Sequence, residues 1–122
     1  MKILLVGVCD TNSVSLAPQL LSAFARKFSI AEKFDIQTCE FSIFSDTVES
    51  ITNAIQSHNP DIVGFSCYIW NYNLIRQITP HLDCTILLGE PQVNPMLRCW
   101  KLNHENFHQQ KSFQKRLVYE GI

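Results

Sequence analysis

The sequence has no C-x-x-C pair, and its five cysteines, at positions 9, 39, 67, 84 and 99, are odd in number and irregularly spaced. No disulfide framework is read from them, and a reducing cytoplasm is the expected compartment. Charge of one sign is not in excess either: ten Lys/Arg face eleven Asp/Glu, and 17% of residues are charged. That balance argues against a nucleic-acid partner and favours a small neutral one. No apolar run reaches the ~18 residues of a membrane span. The opening MKILLVGV has one lysine and a short apolar run, and Cys9-Asp10 follows in place of a small-residue cleavage site, so no secretory signal is read.

What is present suits one domain, since 122 residues with 46% hydrophobic content build a single core. Ile3 to Val8 is a continuous apolar run, as in a strand buried on both faces of a parallel sheet. Ser15 is placed to cap a helix with Leu16, Leu20, Phe24 and Phe28 on one apolar face, and Pro18 falls in its first turn. Phe34 to Phe41 reads as the second strand. Asp46 and Glu49 then form a capping-box pair before Val48, Ile51 and Ile55, and that helix stops at His58-Asn59-Pro60. Ile62 to Phe65 is the third strand, Asn71 caps a helix bearing Leu74, Ile75 and Ile78 that Pro80 ends, and Cys84 to Leu88 is the fourth strand.

Strands recurring every ~25 residues, each followed by helical periodicity, predict an α/β fold: a flavodoxin-like (Rossmann-like) doubly wound parallel sheet of four to five strands in a three-layer α/β/α arrangement. Residues 1–95 carry this pattern. Residues 96–122 hold five Lys/Arg against two Asp/Glu and read as a basic helical or poorly ordered extension of the same domain, with RLVY a candidate for a short fifth edge strand. In such sheets ligands sit beyond the carboxyl ends of the strands, which points to the loops at 9–15, 66–71 and 89–94.

Those loops carry a resemblance. NSVSLAPQLL after the first strand, PDIVGFSCYIWN at the third and LLGEPQV at the fourth are similar to the N-terminal cobalamin-binding domain of cobalamin-dependent radical SAM proteins, over residues 1 to about 95. The resemblance implies cobalamin as cofactor, held by Asn12, Ser13, Ser15, Ser66, Cys67, Tyr68, Ile69, Trp70, Asn71, Gly89, Glu90, Pro91 and Gln92. A corrin is a flat macrocycle with a phosphodiester-linked nucleotide tail. Ser66 and Cys67 suit the tail with short polar atoms and backbone N–H groups, and Tyr68, Ile69 and Trp70 suit the macrocycle as a platform.

Three departures qualify the likeness. Other corrinoid proteins supply an axial histidine from D-x-H-x-x-G, whereas Asp10 is followed here by Thr11, Asn12, Ser13, Val14 and Ser15, so no histidine ligand to cobalt is expected from this loop. Family members show two glycines before the proline where this chain has Gly89-Glu90-Pro91, and a carboxylate near the phosphodiester would weaken binding, so Glu90→Gly is expected to tighten it. The C-x-x-x-C-x-x-C spacing of a radical SAM cluster is absent, so the chain is expected to be a stand-alone or truncated relative without catalysis of its own. A radical SAM protein or a second copy, through an exposed sheet edge, is the expected protein partner.

Plainer readings stand beside these. Tyr68 and Trp70 also suit a cap on the core, and Cys67 an inert small hydrophobe. A basic-tailed interaction or dimerisation module that has lost its ligand is the alternative function. Flavin fits such a cleft too, but no phosphate-cradling glycine loop follows the first strand. His104, Glu105 and His108 match H-E-x-x-H, the spacing of a zinc site, yet only Glu120 lies downstream as a third ligand and solvated helix residues are the better reading.

Overall fold

The structure, a computed structural model, describes residues 1–10, 15–29, 32–89 and, by backbone alone, 117–119. The strands are β1 (Lys2–Cys9), β2 (Asp35–Ser42), β3 (Ile62–Ser66), β4 (Thr85–Gly89) and β5 (Leu117–Tyr119), and the helices are α1 (Leu16–Lys27), α2 (Val48–Ser57) and α3 (Tyr72–Ile78). One sheet holds the strands in the order β2-β1-β3-β4-β5 with every pairing parallel. This is the doubly wound, flavodoxin-like arrangement that the alternation predicts. RLVY does contribute the fifth strand, Leu117–Tyr119, beside β4.

Side-chain alternation along the three inner strands divides the molecule into two unlike faces. Leu4, Val6 and Val8 of β1, Val63 and Phe65 of β3, and Ile86 and Leu88 of β4 pack with Ile51 and Ile55 of α2, Ile75 and Ile78 of α3, and Leu82. This is the main core, on the α2/α3 side, while Leu5, Cys9 and Ala25 are buried on the other. The other side presents Leu5, Gly7, Gly64, Ser66, Leu87 and Gly89 to α1, a row of mostly small residues.

The small residues on that side explain the largest departure from expectation. Leu16, Leu20, Phe24 and Phe28 do form one stripe on α1, but each is 56–68% exposed, and the residues α1 buries are Pro18 and Ala25. A Cβ at Gly7 would overlap Ser15 Cβ and Oγ at the start of α1. The Ser15 side chain, just ahead of α1, occupies the space over Gly7, and the stripe of α1 points outward.

Local signals elsewhere shift by a residue. The capping box of α2 is Thr47 with Ser50, not Asp46 with Glu49: Thr47 Oγ1 accepts from Ser50 N at 3.0 Å and Ser50 Oγ from Thr47 N at 2.9 Å. Asp46 instead accepts from Ser42 N at 2.6 Å. Asn59 closes α2 at φ 48°, a left-handed position that asparagine tolerates. Pro80 falls in a 3-10 turn, Thr79–His81, that ends α3. Among the described residues no helix is long and apolar enough to cross a membrane.

Candidate functional site

Leu5, Gly64 and Leu87 stand side by side across β1, β3 and β4. Because the middle position has no side chain, a slot opens between the sheet and α1, a cavity of about 180 Å³ lined by these three with Ala17, Pro18, Leu21, Phe65, Ser66, Leu88 and Gly89. A Cβ on Gly64 would already lie 3.0 Å from Leu5 Cδ2, so any larger residue fills the space. Gly89 plays a different part, since a Cβ there would meet nothing nearer than Phe65 O at 4.0 Å. The slot is apolar along its length and ends at Ser66 and Gly89, the carboxyl ends of β3 and β4, where this sheet topology accepts ligands. A second cavity, of about 220 Å³, lies at the opposite edge among Asn59, Pro60 and Asp83.

Directly after β3 the chain makes the turn 67–71, which Asn71 holds. Asn71 is fully buried. Its Nδ2 donates to Val8 O at 3.0 Å and Ser66 O at 2.9 Å, and its Oδ1 accepts from Tyr68 N at 2.8 Å. Two carbonyls and one N–H leave the amide a single orientation. Asn71 occupies the N-cap position of α3 as expected, but its side chain makes no cap there and instead ties the ends of β1 and β3 to the turn. Cys67 is also fully buried, and its N–H donates to Gly89 O at 3.0 Å, which joins the turn to the end of β4. Both residues are buried, and their hydrogen bonds fix the shape of the loop.

That loop presents Tyr68 and Trp70 as a face-to-face pair, ring centroids 4.4 Å apart and planes within 5°. Trp70 is 53% exposed and Ile69 68%. The aromatics neither cap the core nor plug the slot: each spends one face on the other, and the tryptophan keeps open surface towards solvent.

Ser15 lies at the N-cap of α1 without capping it through its side chain. Its Oγ is 3.0 Å from Cys9 Sγ, and its backbone N–H donates to Glu40 Oε2 at 3.3 Å. The candidates Asn12, Ser13, Glu90, Pro91 and Gln92 lie outside the described residues, as do His104, Glu105, His108 and Glu120.

One constellation escaped the sequence reading. Cys39 Sγ lies 3.9 Å from His58 Nε2, and His58 Nδ1 lies 3.2 Å from Gln37 Oε1, the order of a nucleophile, a base and an orienting group. Only the i, i+2 spacing of Gln37 and Cys39 on β2 hinted at it. Burial pushes the Cys39 thiol up, the reverse of what activates a nucleophile. Among the described residues no three His, Cys, Asp or Glu side chains converge to hold a metal ion. In comparisons with known proteins the chain matches no family model, no curated protein and no solved structure.

Proposed function

We propose that this domain binds a corrinoid of the cobalamin type at the carboxyl edge of β1, β3 and β4, without catalysing a reaction by itself. One observation carries the reading: an apolar slot kept open by Gly64 ends at the same strand edge from which a clamped turn presents Tyr68 and Trp70. A cofactor with a flat macrocycle and a tail ending in a flat heteroaromatic ring needs two such surfaces, one broad and one narrow. The free face of Trp70 suits the macrocycle, and the slot, with the Ser66 hydroxyl among its lining groups, suits the ring of the tail. The rigid anchoring of the turn by Asn71 keeps the ordering cost of binding low. No histidine lies between Cys9 and Ser15, so the cobalt of a bound corrinoid takes no imidazole from that loop.

Titration with hydroxocobalamin, followed by its visible absorption, tests the reading. Binding shifts the spectrum; Trp70→Ala weakens it about tenfold, as loss of ~1.4 kcal/mol of stacking requires. Gly64→Val fills the slot and removes binding while the thermal midpoint stays within a few degrees of the wild type. A wild-type protein that leaves the spectrum unchanged up to millimolar cobalamin overturns the proposal.

A further inference from the structure

We infer that the outer face of α1 is a homodimer interface, on which a second copy of the chain lays its own α1 antiparallel to the first. Leu16, Leu20, Phe24 and Phe28 recur every fourth residue and form a single ridge along the helix, with Leu21 beside it. All five are more than half exposed. Three leucines and two phenylalanines at that exposure present roughly 600 Å² of apolar surface, at the top of what a monomer's largest patch usually shows. Doubled across two copies, it reaches the roughly 1,000–1,200 Å² at which specific interfaces begin.

The shape and the charges select the occupant. A ridge of i±4 residues interdigitates with an identical ridge at a crossing angle of about −50°, so the surface is complementary to itself, as a two-fold contact requires. Arg26 and Lys27 are the basic residues of the last turn, while the Glu40 carboxylate sits at the first turn beside Ser15 N. A parallel pairing sets like charges together at each end. An antiparallel pairing brings Arg26 and Lys27 of each copy to Glu40 of the other, and it also opposes the two helix dipoles. Helical spacing puts Arg26 on the flank away from Leu21 and the slot, the flank nearer β2, which carries Glu40. Leu21 borders both the ridge and the slot, so the contact runs along one rim of the slot, but the dimer is read without ligand and the ligand titration is read without the dimer.

Sedimentation equilibrium of the full chain from low-micromolar to submillimolar concentration reads the result. The wild type is expected to rise from the 14.0 kDa chain mass towards twice that value. Leu20→Glu with Phe24→Glu, both surface positions, holds the protein at the single-chain mass at every concentration with unchanged circular dichroism. Glu40→Lys weakens association several-fold, and adding Arg26→Glu and Lys27→Glu restores it, a rescue that a purely local effect of Glu40 on its own helix does not give. A wild type that stays at the single-chain mass overturns the inference and leaves the face to a partner of different sequence. A dimer that survives the Leu20/Phe24 variant overturns it in favour of another surface, such as the β2 edge.

Discussion

Asn71 is where single-residue chemistry decides most. Its two donors and its acceptor are matched to two buried strand-end carbonyls and a half-buried turn N–H. Asn71→Ala takes the side-chain partner from two buried carbonyls, at about 1–3 kcal/mol for each buried polar group, and is expected to cost ~2–5 kcal/mol in urea denaturation. Asn71→Asp has the same size but turns a carboxylate oxygen towards Val8 O and Ser66 O, so it is expected to cost at least as much. An aspartate variant as stable as the wild type would rule out the clamp. From local spacing alone Asn71 is legible as a residue that starts a helix, because an asparagine before an apolar helical pattern is a cap signal. That two strands end within reach of its amide is a tertiary fact, which no local spacing encodes.

At the scale of elements, strands were the most legible and α1 the least. β1, β3 and β4 are short apolar runs bounded by polar or turn-forming residues, and their ends fall within one or two positions of the expected ones. The apolar stripe of α1 is equally visible, and amphipathicity alone assigns it to the core. The stripe faces outward all the same, and at the head of α1 it is the missing side chain of Gly7 that admits Ser15 against β1. Gly7→Ala forces the start of α1 away from the sheet, and the overpacking is expected to cost ~1–3 kcal/mol. Gly89→Ala is the control, since its Cβ makes only an ordinary van der Waals contact, 4.0 Å from Phe65 O, and the change is expected to stay within about 0.5 kcal/mol. Equal losses for the two variants in chemical denaturation would mean that a generic glycine effect, and not the approach of α1, is at work.

For the molecule as a whole, the alternation of strands and helices gives the order of the sheet, but it is silent on how unequally the two faces are filled. The α2/α3 face holds the main cluster of buried hydrophobic side chains, whereas the α1 face buries Leu5, Cys9, Pro18 and Ala25. Stability must follow that division, because segments with few buried apolar contacts open at lower free energy than the global unfolding step. Amide hydrogen exchange at concentrations below self-association is expected to rank α1 well under β1, β3 and the helices of the filled face. A ligand in the slot touches Ala17, Pro18 and Leu21, and a second copy covers the outer ridge, so either partner holds α1 to the sheet by mass action. Slower exchange confined to α1 as protein concentration or cobalamin rises would show the underfilled face being completed from outside. Protection of α1 equal to that of β1 in the dilute, ligand-free protein would mean that the few contacts under this helix already hold it, and the face needs no partner.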